Sequence, residues 1–339
     1  MNLQDFPPKK RDKLGIVWVI FLLLSISLLC VSFFWVLFFS PTGQSETVQV
    51  DFNEFLTTNA PVTPPSDQSI FHVAIASMIS PQHTFEVYGE LVEYLGERIR
   101  KRPKVIQRRT YREVNDLLVA GRIDLAFVCT GPYLQIADKG KVTAIVVPIV
   151  HGKNHYHAYI IVHRRSPYQS FGDLKGKTFV FMDPDSLTGS FYPNSLLRRI
   201  NETPETFFRD TVLTRNHTDS IHAVSYELAD GASVSSVVYD YYQKLRPEKT
   251  KDCRILEVSE PLGMPPVLVG ANVSETLKER IRQTLLHMHE DPYGKQILER
   301  MNVDSYVPAE TIRELYEKTK EFIPTGMKPK FASPKGVER

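Results

Sequence analysis

The chain has 339 residues and carries 41 basic against 39 acidic side chains, so its formal net charge is only +2. Hydrophobic residues make up 42% of the chain, which excludes a disordered protein, and the balanced charge argues against nucleic acid as a partner. The length indicates about two domains, on the rough prior of 100–200 residues each.

The first predicted element is a membrane anchor over residues 14–39. This run of 26 residues contains no charged side chain, and four basic residues precede it between positions 9 and 13. As a helix it would span roughly 39 Å, enough to cross a bilayer, and no small-residue cleavage site follows it. Residues 1–13 would stay cytoplasmic. The sequence therefore predicts a single-pass inner-membrane protein whose residues 40–339 lie in the periplasm or extracytoplasmic space.

Two polar segments flank the predicted soluble domain. Residues 40–69 contain four prolines and few apolar runs, which is typical of a linker. Residues 326–339 form a predicted polar tail. The folded domain is accordingly expected over residues 70–325.

The folded domain begins as an alternation of strands and helices. Short apolar runs predict strands over 70–76, 104–108 and 123–128. The second intervening helix starts at a capping box, in which Thr110 is followed three residues later by Glu113. Such alternation predicts an α/β lobe with a largely parallel sheet.

The alternation then restarts, which predicts a second α/β lobe inserted into the first. Lobe 1 is expected over 70–152 and 262–325, and lobe 2 over 153–261. A predicted helix in the second lobe presents Ile221, Val224 and Leu228 at helical spacing. The strands predicted there cover 156–162, 178–182, 211–214, 234–239 and 254–258.

The eight residues 183–190, DPDSLTGS, follow a predicted strand and precede a predicted helix. The hydroxyls of Ser186, Thr188 and Ser190, together with the free N–H groups of a first helical turn, would suit a tetrahedral oxyanion. Gly189 would let the backbone approach a ligand closely. The alternative is an ordinary turn and helix cap, since Asp, Ser and Thr favour both.

Two further junctions between a strand and a helix carry polar donors. Thr130 and Tyr133 follow the strand at 123–128, and His217 follows the strand at 211–214. Each alone is compatible with simple capping. Because the carboxyl ends of strands line the clefts of such sheets, the three junctions together predict an anion-binding cleft between the lobes.

Neither a metal site nor a catalytic centre is indicated. Four histidines cluster between positions 151 and 163, but no carboxylate or thiolate accompanies them at ligand spacing. No nucleophile–base pair is visible, so we expect no cofactor and no enzyme activity. Outside the anchor only Cys129 and Cys253 could form a disulfide; spacing does not decide the pairing, and a buried free thiol is expected at Cys129.

Four stretches, in order along about two thirds of the chain, resemble the periplasmic phosphate/phosphite/phosphonate-binding proteins of ABC importers. The Ser/Thr loop and its histidine are the most diagnostic of them. The stretches are GRIDLA with TGPY at 121–126 and 130–133, DLKGKT with DPDSLTG at 173–178 and 183–189, NHTDSIHAV at 216–224, and DPYGKQIL at 291–298.

The resemblance implies a two-lobed periplasmic-binding-protein fold that closes on a small oxyanion. It implies that Ser186, Thr188 and Gly189 contact the anion and that His217 and Tyr133 add donors. Leu187 stands where a hydroxyl residue is common in this family, so only its backbone would contribute. An amine-bearing ligand is not expected, because the acids that follow in amino-phosphonate binders are absent here.

The function predicted from the sequence is a membrane-tethered solute-binding protein that passes a phosphonate- or phosphate-like ligand to an ABC permease. One alternative is a sensory or partner-binding module of the same fold, linked to a membrane sensor. A second is an enzyme on a related scaffold that uses His217 as a base.

Overall fold

The computed structural model describes residues 70–324. The predicted cytoplasmic segment 1–13, anchor 14–39, linker 40–69 and tail 326–339 therefore lie outside the described residues. Within residues 70–324, none of the helices combines the length and apolar character needed to cross a membrane.

Strands and helices alternate along most of the described chain. The strands are β1 (Ile70–Ile75), β2 (Arg102–Gln107), β3 (Leu125–Phe127), β4 (Val142–Ile149), β5 (His155–Tyr156), β6 (Ala158–His163), β7 (Thr178–Phe181), β8 (Asp210–Leu213), β9 (Gly231–Ser235), β10 (Cys253–Val258), β11 (Leu262–Gly263), β12 (Val267–Gly270) and β13 (Ser305–Pro308). The α-helices are α1 (Pro81–Ile99), α2 (Tyr111–Val119), α3 (Thr130–Ile136), α4 (Tyr192–Arg199), α5 (Pro204–Phe207), α6 (His217–Ser225), α7 (Ser236–Leu245), α8 (Glu275–Leu286), α9 (Pro292–Met301) and α10 (Arg313–Thr319).

The strands form two main sheets, each the centre of one lobe. Lobe 1 is built on a six-stranded sheet in the order β13-β4-β12-β3-β1-β2, and lobe 2 on a five-stranded sheet in the order β10-β6-β9-β7-β8. The segments that join the lobes, β5 and β11, pair with each other. The predicted two-lobed α/β architecture is therefore present.

The sheets are mixed, so the prediction of a largely parallel sheet was wrong. Only the strands around β1 in lobe 1 and around β7 in lobe 2 pair in parallel. The chain returns from lobe 2 as β12, which inserts antiparallel between β3 and β4. In lobe 2, β6 pairs antiparallel with both β9 and β10.

Local signals placed several element boundaries correctly. The capping box at the start of α2 is present, since Thr110 Oγ1 accepts from the backbone N–H of Glu113 and the Glu113 carboxylate accepts from that of Thr110. Two predictions were wrong. Residues 236–239, predicted as strand, begin α7, and Leu228 lies beyond the end of α6 with 75% of its surface exposed.

Candidate functional site

The DPDSLTGS segment joins β7 to a continuous helical stretch. A single π-helical turn covers Leu187–Phe191, and α4 follows it without a break. Ser186 caps the turn, because its Oγ accepts from the backbone N–H of Gly189 at 3.0 Å. The predicted turn and helix start are thus both present. π-Turns inside helices often mark functional sites.

The two aspartates of this segment fasten it to lobe 1. The Asp185 carboxylate forms a bidentate ion pair with the guanidinium of Arg112 in α2. Arg112 Nε donates to Oδ2 at 3.1 Å and Nη2 donates to Oδ1 at 2.9 Å. Asp183 accepts from the backbone N–H groups of Tyr111 (3.3 Å) and Asp185 (2.8 Å). Burial raises the pKa of Asp183 to about 6. The hydrogen bonds and ion pair of both carboxylates therefore stabilise the position of this segment.

The hydroxyls of Thr188 and Ser190 are buried and unused. Both residues have no exposed surface, and neither side-chain oxygen has a hydrogen-bond partner within the described residues. The carbonyl oxygen of Thr188 is bonded by the Ser233 hydroxyl of β9. A buried hydroxyl without a partner carries a free-energy cost of about 1–3 kcal/mol. Such groups are expected where a ligand completes the hydrogen bonding.

His217 contributes a third unused donor. It starts α6, and its ring is fully buried with Nε2 unpaired among the described groups. Its Nδ1 accepts from the backbone N–H of Ser235 at 3.4 Å, so the neutral ring carries its proton on Nε2. Burial lowers the pKa of His217 to about 3. The ring is therefore a neutral N–H donor at physiological pH.

Gly189 brings the π-turn, β7 and His217 into close approach. A Cβ atom at this position would lie 2.4 Å from the Cβ of Met182 and 3.3 Å from Cε1 of His217. A side chain at position 189 would force these groups apart. The glycine is therefore required by packing.

Thr130, Leu187 and Tyr133 offer no comparable unpaired buried donor, although Leu187 is the chain neighbour of Thr188. Thr130 is buried, and its hydroxyl donates to the carbonyl oxygen of Gly263 at 2.7 Å. Leu187 is fully buried in a hydrophobic cluster that contains residues of both lobes. Tyr133 packs against Tyr316, with ring centroids 5.1 Å apart, and lines a separate cavity in lobe 1.

Two further tyrosines, Tyr111 and Tyr156, also lie in this region. Tyr111 is buried in a small cluster with Cys129 and Met182, and its hydroxyl has no partner among the described residues. The hydroxyl of Tyr156 lies 3.9 Å from the Cys129 sulfur. Burial raises the pKa of both phenols well above their ordinary value. No local sequence signal marks them, because their position depends on how the lobes meet.

A cavity of about 70 Å³ lies beside His217 and between the lobes, and Thr188, Ser190 and Tyr111 are not among its lining residues. His217, Ser235 and Val237 line it from lobe 2, and Met78 and Tyr88 line it from lobe 1. One water molecule needs roughly 10–15 Å³ of such space, so the cavity has room for a ligand of a few heavy atoms.

The second cavity is larger, at about 550 Å³, and lies within lobe 1. Its lining mixes acidic and basic side chains and gives no bias towards an anion. The charged residues that line it are Asp138, Glu310, Arg313, Glu317 and Lys320.

Metal chemistry finds no support in the described residues, where no group of three or more His, Cys, Asp or Glu side chains could hold a metal ion. Cys129 and Cys253 are both buried free thiols, as expected for Cys129. Burial raises the pKa of both, to about 12 for Cys253, so neither is a ready thiolate.

Comparison with known proteins decides the family. Residues 73–314 match the family described as ABC transporter, phosphonate, periplasmic substrate-binding protein. The chain belongs to this family. This match confirms the family predicted from the sequence.

Individual relatives are distant. The phosphonates-binding periplasmic protein of Escherichia coli is 27% identical over 186 residues, 53% of this chain and 54% of that protein, so the chain spans about half the length of this curated relative. A binding protein component of an ABC phosphonate transporter from Pseudomonas aeruginosa superposes with a TM-score of 0.69 at 18% identity, covering 76% of this chain and 88% of the other. PhnD1 from Prochlorococcus marinus, in complex with methylphosphonate, gives 0.66 at 15% identity, covering 75% and 96%. These likenesses confirm the two-lobed fold.

Proposed function

We propose that this protein captures a small phosphonate- or phosphate-like oxyanion between its lobes and delivers it to the permease of an ABC importer. The observation that supports this proposal is the set of three buried donors, Thr188 Oγ1, Ser190 Oγ and His217 Nε2, without partners among the described residues. They stand at the carboxyl-end junctions of β7 and β8, where the lobes meet. The family and the phosphonate ligands named for its relatives support the same chemistry.

The donors suit an anion because each can donate and none needs to accept. Hydrogen bonds from neutral donors to a charged oxygen are stronger than those between neutral groups. The first turn of the helical stretch adds N–H groups without helical partners, and its dipole favours negative charge. We assign Ser186 and Gly189 to shaping this turn, and Leu187 to contributing its backbone alone.

The remaining polar residues receive other roles in the proposal. Tyr111, with its free buried hydroxyl, is assigned as a fourth donor from lobe 1. Thr130 is assigned to joining α3 to β11, because its proton is already donated to Gly263. Tyr133 is assigned to packing in lobe 1.

The test is titration calorimetry with methylphosphonate and inorganic phosphate on the whole protein and on a Thr188→Val, Ser190→Ala variant. Each hydrogen bond to a charged group contributes about 1.5–3 kcal/mol, so the double variant should bind at least a hundredfold more weakly. Ser195→Ala is the matched control, because that buried hydroxyl of α4 donates to the Tyr192 carbonyl at 2.6 Å. Unchanged affinity in the double variant, or no binding of either anion to the native protein, contradicts the proposal.

We also propose that the protein remains attached to the inner membrane through residues 14–39. The support is the uncharged run and the basic residues ahead of it. After cell fractionation the intact chain should stay in the membrane pellet through high-salt and alkaline washes. Release of a shorter chain into the periplasmic fluid would instead indicate a cleaved signal peptide.

A further inference from the structure

The cavity beside His217 is polar on one side and mostly apolar elsewhere. On one side it is lined by the donor His217 and by Ser235. The rest of its lining is dominated by apolar side chains from both lobes, among them Val87, Val237, Val238, Tyr241, Pro265 and Met301. None of the thirteen described residues that line it is an aspartate or a glutamate.

We propose that this apolar part of the cavity is the pocket for the organic substituent of the ligand, and that the preferred ligand is a short, uncharged alkylphosphonate. The inference rests on the function proposed above, since the phosphonate group would occupy the donors. A carbon chain attached to phosphorus gains by leaving water for an apolar wall.

The size of the cavity limits the substituent to a few carbon atoms. Its volume of about 70 Å³ is several times the space of a single water, which suits a methyl or ethyl group beside the anion and not a long chain. Each buried methylene strengthens binding by roughly 0.8 kcal/mol, or about fourfold in affinity. Inorganic phosphate offers a hydroxyl to the same wall and gains nothing there.

An amine at the end of the substituent would find no carboxylate among the described lining residues. Asn302 is one of the few polar residues of the lining, and its Oδ1 already accepts from Lys244 Nζ at 2.7 Å. The Nε2 atom of His151 lies 3.2 Å from the same oxygen. An ammonium group in this pocket would therefore lose its hydration without a carboxylate to replace it.

Calorimetry with four ligands tests the inference on the intact protein: inorganic phosphate, methylphosphonate, ethylphosphonate and 2-aminoethylphosphonate. Ethylphosphonate should bind about tenfold more tightly than phosphate, and 2-aminoethylphosphonate on the order of a hundredfold more weakly than ethylphosphonate. If phosphate or the amine binds as tightly as ethylphosphonate, the substituent pocket is refuted while the proposed oxyanion function stands. If none of the four binds, the proposed function fails as well.

A charge-introducing variant localises the preference. Val237→Glu adds a carboxylate at a half-buried position of the lining and should shift the ratio of 2-aminoethylphosphonate to ethylphosphonate affinity by at least about tenfold towards the amine. Val212→Glu is the matched control, because Val212 is an exposed residue of the edge strand β8 outside the lining. Equal ratios in the two variants would overturn the assignment.

A second variant keeps the test independent of any folding defect in the first. Val237→Ala leaves the pocket apolar and enlarges it by two methyl groups. It should favour propylphosphonate over ethylphosphonate by several-fold relative to the native protein. An unchanged preference between these two ligands would also overturn the inference.

Discussion

His217 shows how a buried imidazole can serve an anion without carrying charge. Its ring is fully buried, its Nδ1 accepts from Ser235, and burial lowers its pKa to about 3. The unfolded chain would titrate near pH 6.5. Between these two pKa values the unfolded state binds a proton and the folded state does not. Folding stability therefore decreases as pH falls from about 6.5 towards 3.

This contribution predicts a pH-dependent difference between the native protein and a His217→Gln variant. The free energy of unfolding of the native protein should fall relative to the variant by up to about 1.4 kcal/mol for each pH unit below 6.5. Chemical denaturation at pH 7, 6 and 5, monitored by fluorescence, measures the difference. A constant difference across these pH values would show that the ring is protonated or exposed in the folded state.

The buried Asp183 has the opposite effect on the pH dependence of stability. Burial raises its pKa to about 6, so the folded state holds a proton that the unfolded state has lost between about pH 3.8 and 6. The contribution of Asp183 to the free energy of unfolding therefore falls as pH rises through that window. The contribution of His217 instead rises with pH. In an Asp183→Asn variant the acid-side loss of stability should steepen relative to the native protein, whereas in His217→Gln it should become shallower.

At the scale of elements, Gly189 is the position where backbone packing and the site coincide. A Cβ there would lie 2.4 Å from Met182 Cβ, a distance that real structures do not tolerate. Gly189→Ala should therefore destabilise the protein by about 1–3 kcal/mol and weaken anion binding. Gly89→Ala in α1 is the control, because nothing lies within 4 Å of its Cβ position and alanine favours a helix by about 0.5–1 kcal/mol. Thermal melts with and without methylphosphonate measure both effects.

The elements also show what the sequence could and could not predict. The loop at 183–190 and the cap at Thr110 were predictable because their chemistry is local. Val237-Val238-Tyr239 favours β structure by composition, yet these residues lie in α7, whose N-cap residue Ser235 makes no capping bond with its side chain. No local signal therefore marks this helix start. The antiparallel position of β12 depends on how the chain re-enters lobe 1 from lobe 2. No local sequence pattern predicts that path.

The same distinction holds for the site. Hydroxyl and histidine positions at strand ends were predictable, whereas the burial that leaves Thr188 and Ser190 unpaired required the folded lobes. Tyr111 was missed for this reason. In the sequence it is only the first residue after a helix cap, and the structure gives it a buried free hydroxyl next to Cys129.

At the scale of the whole molecule, the lobes are joined by polar contacts at the cavity. The backbone N–H of His217 donates to the Met78 carbonyl of lobe 1 at 3.0 Å. Arg112 reaches from lobe 1 to the carboxylate of Asp185, whose side chain is only 7% exposed. Asp185 belongs to the loop that leads to the donors, so this ion pair couples the ligand loop to the opposite lobe.

We therefore expect Arg112→Gln to weaken ligand binding through faster dissociation. The change leaves the Asp185 carboxylate with the Gln135 amide, 3.3 Å away, and disfavours the state in which the lobes meet. Because half of the Arg112 side chain is exposed to water, the loss should be about tenfold in affinity rather than larger. Arg165→Gln is the matched control, since its ion pair with Glu227 is exposed and lies within lobe 2. Stopped-flow dissociation rates for methylphosphonate should rise in Arg112→Gln alone, and equal rates in both variants would show that the ion pair does not couple lobe contact to binding.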